Sequence, residues 1–242
     1  MWTTKILASA LVASALAVSQ ANATVLYNAV TDFSLASNPN GAWSYGYGTA
    51  GTSFTAMQNS FTGGFIGNPN FRYWQSSAPV AHTPLVAANT GGTTISFSTL
   101  ISPNDVLLIH PGNQTDVIVR WTAPSAGYYQ YSGLFQLLDR SPSGVIAQVF
   151  TNNLLTFSAN LTGPGANTGT LTPGQSVAFG GAANLNAGDT LLFAVNRQGN
   201  FSNDSTGLKV NISVPEPSTI ALIAMALLSM FGFGMMRRRA EA

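Results

Sequence analysis

The sequence predicts an all-β protein, an antiparallel β-sandwich occupying residues 24–213, and three observations carry that expectation. Between Thr24 and Ser213 there is no Glu and one Lys, while Thr, Ser, Asn, Gly, Val and aromatic residues abound. Such a composition favours pleated strands and turns over helices. Short apolar runs alternate with Gly/Pro/Asn/Ser clusters, and several runs place apolar side chains at every second residue, as a half-buried strand requires. The whole 242-residue chain is 45% hydrophobic and 7% charged, with a formal net charge of +1 and no Cys. So little charge excludes a nucleic-acid binder and a charged disordered tail. Without Cys there are no disulfides, thiolate metal ligands or Cys nucleophiles, so stability must come from packing.

Taken in order, the first element is an address. Residues 1–23 place Lys5 before an apolar run from Ile6 to Val18 and end in Ala21-Asn22-Ala23. This is the layout of a secretory signal peptide, with small side chains at Ala21 and Ala23 for signal peptidase and Thr24 as the mature start. An uncleaved N-terminal anchor is the alternative, disfavoured because the run is short for a bilayer core. Strands are then expected at 43–47, 71–74, 93–100, 106–110, 117–121, 128–138, 145–150, 154–160, 176–179, 190–195 and 208–214. Turn clusters separate them, such as Asn38-Pro39-Asn40-Gly41, Ser141-Pro142-Ser143-Gly144 and Asn186-Ala187-Gly188-Asp189. In residues 117–121, Val117, Val119 and Trp121 share one face and Ile118 and Arg120 the other; in 208–214 the apolar set falls on alternate positions. About 190 residues of this kind fit one sandwich whose sheets pack about 10 Å apart.

The last element is a second address. Residues 219–236 are eighteen residues without a charge, followed at once by Arg237, Arg238 and Arg239. At 1.5 Å per residue they are long enough for a transmembrane helix across a core of about 30 Å. The positive-inside rule keeps the arginines cytoplasmic and puts the body on the periplasmic side of the inner membrane. Before the helix stand Val214, Pro215, Glu216, Pro217 and Ser218, whose two prolines make a stiff, extended, accessible segment. Residues 214–239, with motif at 214–218, helix at 219–236 and Arg tail at 237–239, resemble the PEP-CTERM sorting signal of exopolysaccharide-producing Gram-negative bacteria. The resemblance implies processing by an exosortase, a membrane-embedded enzyme, with Pro215, Glu216 and Pro217 recognised, and delivery to the cell surface or extracellular matrix.

A second resemblance covers residues 105–214. Val119-Arg120-Trp121-Thr122-Ala123-Pro124 with Gly127-Tyr128-Tyr129, then Ala187-Gly188-Asp189-Thr190-Leu191-Leu192-Phe193, then Asn203-Asp204-Ser205-Thr206-Gly207-Leu208 is similar to jelly-roll modules of bacterial surface proteins and carbohydrate-binding domains. It implies a jelly-roll-like architecture and no activity, because one fold hosts many functions.

The body is poor in catalytic groups. With no Glu, a glycosidase would need two converging aspartates, and the spacing of Asp105, Asp116, Asp139, Asp189 and Asp204 shows no convergence. His82 and His110 are the only histidines, and His110-Pro111-Gly112 reads as a loop residue closing a strand. No zinc-protease, nucleophile-elbow or phosphate-loop motif occurs. Calcium is the one cofactor left room for, with Asp32, Asp189 and Asp204 as oxygen donors beside Asn203, although an Asp in a β-turn ordinarily caps that turn. Trp43, Tyr45, Tyr47, Tyr73 and Trp74 crowd the first third, either as core, the preferred reading, or as a platform for sugar rings; Trp121 reads as core. Asn-x-Ser/Thr sequons at Asn113, Asn160, Asn203 and Asn211 read as turn and strand residues.

The expectation is therefore an exported, non-enzymatic surface or matrix protein, transiently anchored in the inner membrane, then at the surface or outside the cell. Its partners would be signal peptidase, an exosortase-like enzyme and exopolysaccharide, with no nucleic acid. The alternatives are a secreted polysaccharide-active enzyme and a passive surface-coat protein.

Overall fold

The computed structural model describes residues 24–63, 67–80 and 82–214. The signal peptide, the transmembrane helix and the Arg tail lie outside the described residues, as do Ala21, Ala23, Pro215, Glu216, Pro217, Arg237, Arg238 and Arg239. The body, Thr24–Val214, is one compact unit.

Its strands in chain order are β1 (Thr24–Asn28), β2 (Trp43–Gly48), β3 (Thr55–Ala56), β4 (Asn59–Thr62), β5 (Phe71–Val80), β6 (Thr83–Asn89), β7 (Ile95–Phe97), β8 (Leu100–Ser102), β9 (Leu107–His110) and β10 (Asp116–Thr122). They continue with β11 (Gly127–Leu137), β12 (Val145–Thr151), β13 (Leu154–Leu161), β14 (Ser176–Leu185), β15 (Thr190–Arg197) and β16 (Thr206–Val214). One sheet runs β14-β11-β16-β9-β6-β5-β4, with β1 also on β16, and the second runs β13-β12-β15-β10-β2-β3. Every pairing is antiparallel. From β10 onward the chain crosses repeatedly between sheets, with β10, β12, β13 and β15 in the second and β11, β14 and β16 in the first. This wrapping is the jelly-roll-like character of the all-β sandwich.

The core lies between the sheets because alternation points one apolar set of each strand inward. Val117, Val119 and Trp121 of β10 meet Leu208, Val210 and Ile212 of β16, with Trp43, Tyr129, Phe135, Phe179 and Phe193 filling the interior. Trp121 is held edge-on by Tyr27 at 5.2 Å and Tyr129 at 4.9 Å between ring centroids. Two smaller clusters cover the outer faces. Ile118, Phe150, Leu192 and Ala194 pack under Phe54, which also stacks beneath the Arg120 guanidinium at 3.8 Å. The guanidinium thus tops an apolar patch while its charge lies over a ring face. On the other sheet, Phe71, Leu85, Ala87 and Leu108 are roofed by Leu100 and Ile101 of the β7–β8 hairpin.

That hairpin corrects the expectation of one strand over 93–100. Ser98 has a positive φ of 52°, and the chain reverses there. β6, absent from the sequence reading, is buried along its whole length, so no polar alternation marks it. Val214, assigned from sequence to the sorting segment, is the last residue of β16 and pairs with Thr24.

Candidate functional site

The platform reading of the aromatic cluster is overturned by burial. Trp43 and Tyr45 lie opposite Trp121 and Val119 on the inward face of β2, and both are buried in the main core with Trp74. Tyr47 packs half-buried against the same core, while Tyr73 is buried in the outer cluster on the opposite face of β5. Both indole N–H groups are spent inside. Trp43 Nε1 donates to Asp32 Oδ2 at 3.1 Å, and Trp74 Nε1 donates to the Ser34 carbonyl at 2.8 Å. Burial pushes the Tyr45 phenol well above its usual range.

Nor do the calcium candidates come together. Asp32 accepts from the Asn28 N–H as well as from Trp43, Asp189 accepts from the Asn186 N–H within its turn, and Asp204 accepts from Ser143. Asp32 and Asp189 thus accept from N–H groups of their own turns, whereas Asp204 is held by Ser143 from a distant part of the chain. Among the described residues no three His, Cys, Asp or Glu side chains gather where they could hold a metal.

What the fold does assemble is a pocket of about 210 Å³ with mixed polar and apolar walls, between the β7–β8 hairpin, the end of β9 and the β15–β16 loop. One of its lining residues is Asp139, 3% exposed, just past β11. Its backbone bridges Leu100, Thr99 Oγ1 donates to its Oδ1 at 3.1 Å, and the Ser205 N–H donates to its Oδ2 at 2.8 Å. Beside it His110, 8% exposed, closes β9; its Nδ1–H donates to the Pro111 carbonyl at 2.8 Å, and Phe201 meets the ring edge-on. Burial pushes the imidazole pKa down, against the Pro111 carbonyl and the Asp139 charge, which raise it. A neutral ring with Nδ1 protonated leaves Nε2 as an acceptor. Phe97, 49% exposed, flanks the pocket from the hairpin.

Behind Ser205, whose N–H holds Asp139, lies a second buried carboxyl, Asp204, which does not line the pocket. Asp204 is wholly buried, and its Oδ2 has no hydrogen-bond partner among the described residues. Burial raises its pKa to about 6, opposed by hydrogen bonds from the Ser143 hydroxyl and N–H. The folded chain therefore holds this proton more tightly than the unfolded chain, whose carboxyl titrates near 3.8. Stability from this group is complete below about pH 4 and is lost as pH rises to about 6, on the order of 2 kcal/mol in all. Urea midpoints of the parent and of Asp204→Asn, measured from pH 4 to 7, check this: their difference should change across that window and level off above it.

No sequence signal marks this pocket. Its walls come from residues 83, 97–100, 110, 139, 203 and 205, which only the sheet order brings together.

At the far end of β16 lies the segment that the sequence identifies best. Residues 213–239 match the PEP-CTERM protein-sorting motif. The PEP-CTERM motif marks an exosortase-sorted surface protein and implies export and membrane-anchored transit before exosortase cleavage. Its first two residues, Ser213 and Val214, belong to β16. No curated protein matches the chain. Among solved structures, a family 35 carbohydrate-binding module from Clostridium thermocellum overlaps 64% of this chain and 98% of its own at 11% identity and a TM-score of 0.28. A Clostridium perfringens ZmpB structure, CBM51-2 in complex with GlcNAc and INT domains, overlaps 68% of this chain at 10% identity and a TM-score of 0.31. A Paenibacillus sp. cycloisomaltooligosaccharide glucanotransferase complexed with cycloisomaltoheptaose overlaps 45% at 13% identity and a TM-score of 0.28. The chain spans 31% and 14% of the length of these last two. The overlaps are partial, and no property of this chain rests on them.

Proposed function

We propose that this is a non-enzymatic surface or extracellular-matrix protein, exported after signal peptidase cleavage before Thr24 and delivered by an exosortase-type system to associate with exopolysaccharide. The observation that carries the reading is the PEP-CTERM motif at residues 213–239, attached directly to the last strand of a β-sandwich. Low charge supports it, because a neutral, hydroxyl- and amide-rich surface suits a polysaccharide better than a charged partner. The proximity of Asp139 and Asp204 is the one feature that favours a polysaccharide-active enzyme. Against it, Asp204 is wholly buried and does not line the pocket, so only Asp139 could meet a substrate. Two carboxyl groups flanking a scissile bond are what glycoside hydrolysis requires.

Intact mass spectrometry of extracellular and membrane fractions from the native host tests the sorting half. The expected extracellular species starts at Thr24 and ends between Val214 and Pro217. A protein found only in the membrane and still carrying residues 219–239 would sink it. Co-sedimentation with the host exopolysaccharide tests the matrix half, and absence from the pellet would sink that.

A further inference from the structure

We propose that the pocket at the β7–β8 hairpin binds a single neutral sugar ring, a unit of the polysaccharide that the matrix reading above requires. The inference rests on that reading and adds a location, a stoichiometry and a charge preference.

Size sets the first limit. Pockets for drug-sized ligands run to roughly 300–1,000 Å³, and this one, at about 210 Å³, is room for one ring and not for an oligosaccharide chain. Wall chemistry sets the second. A pyranose presents axial C–H groups on its faces and hydroxyls around its rim, so it needs an aromatic plane beside convergent hydrogen-bonding groups. Phe97 supplies the plane, about half its surface open on a hairpin tip, where an apolar ring has no folding reason to lie. Asp139 supplies a carboxylate already accepting one hydrogen bond at each oxygen. An ionised carboxyl has about four acceptor positions, which leaves roughly two for adjacent sugar hydroxyls. His110 Nε2 adds an acceptor, and Ser205 of the β15–β16 loop and Thr99 of the β7–β8 turn anchor Asp139.

Charge sets the third. Among the described residues no Lys or Arg lines the pocket, Asp139 does, and the buried Asp204 precedes Ser205, whose N–H holds Asp139. A uronate or sulfated sugar would bring a like charge into a largely buried site without a counter-ion, which is strongly unfavourable. A neutral ring meets no such penalty. The pocket is also stiff. Ser98 and Asn203, which both line it, hold positive φ angles of 52° and 57°, a conformation that costs energy at non-glycine residues and persists only where the surrounding structure enforces it. A site held in advance loses less entropy on binding.

The wider groove beside Asp32 and Trp43, about 550 Å³, lacks this combination. The Asp32 carboxylate there is engaged by the Asn28 N–H, the Trp43 indole and the Thr31 hydroxyl, and Trp43 turns its ring into the core.

The test is saturation-transfer NMR on the full chain in a non-glycosidic detergent. The probes are methyl β-D-glucoside, methyl β-D-galactoside, methyl α-D-mannoside and methyl β-D-glucuronide. At least one neutral glycoside should receive saturation and the glucuronide should not. Phe97→Ala, at an exposed position, should weaken the neutral ligand about tenfold without lowering the urea midpoint. Asp139→Asn should weaken it similarly, and in whatever fraction stays folded should relax the rejection of the glucuronide. Failure of all three neutral glycosides, equal binding of the glucuronide, or indifference to Phe97→Ala would each overturn the proposal. Co-sedimentation separates this from the matrix reading. If parent and Phe97→Ala both pellet with the exopolysaccharide, the matrix reading stands and the pocket falls; if a glycoside binds but the parent does not pellet, the matrix reading falls alone.

Discussion

Gly133→Ala should destabilise the sandwich by about 3 kcal/mol or more, enough to unfold a marginal domain. Gly133 sits in the middle of β11, between Phe179 of β14 and Val210 of β16 in the ladder. Its backbone is ordinary for a strand, so the requirement for glycine is purely steric. A Cβ there falls on the Lys209 carbonyl oxygen and 2.5 Å from Phe179 Cζ. The Phe179 ring, packed against Phe135, Phe157 and Phe193, occupies the space that a side chain at 133 would fill. A ring can rotate away, but a carbonyl belonging to a paired strand can move only by displacing the ladder. Urea denaturation followed by tryptophan fluorescence checks it. As a control, Gly188→Ala places its Cβ where nothing lies within 4 Å and meets only the cost of its positive φ of 90°. That change should cost about 1 kcal/mol.

Trp121→Ala should cost about 3–5 kcal/mol, the usual range for deleting a fully buried aromatic side chain. Part of the loss is the ring's own burial; part is the support it gives to Tyr27 and Tyr129, which lean on it edge-first from β1 and β11. Because Tyr27 is on β1, the variant should also loosen that short strand from β16, and hydrogen exchange at Tyr27 and Asn28 should rise more than in the rest of the sheet. Trp121→Phe should be far milder. The indole Nε1 has no hydrogen-bond partner among the described residues, so phenylalanine removes a buried donor without leaving one orphaned.

The strands of the second half were legible because each shows one inward and one outward face. Val117, Val119 and Trp121 on β10, and Leu208, Val210 and Ile212 on β16, alternate as the sequence indicated and enter the core. β6 was not legible, because a strand covered on both faces carries no alternation. β14 runs on to Leu185 through Gly180 and Gly181, small residues that sequence propensity places in turns. Trp43 and Trp74 show the limit of reading sites from residue type. An aromatic residue serves equally as core or platform, and only the inward orientation of β2 and β5 decides. Phe97, His110 and Asp139 lie too far apart in sequence for any motif to join them.

The pairing of Thr24 with Val214 has a mechanical consequence. A force applied to Val214 along the axis of β16 acts on a strand held by β11 over Gln130–Leu137, by β9 near its start and by β1 at its end. Antiparallel hydrogen bonds stand perpendicular to their strands, so a pull along the axis loads them side by side, in shear, and not one after another as in unzipping. A body pulled along this strand resists through the β11, β9 and β1 ladders together.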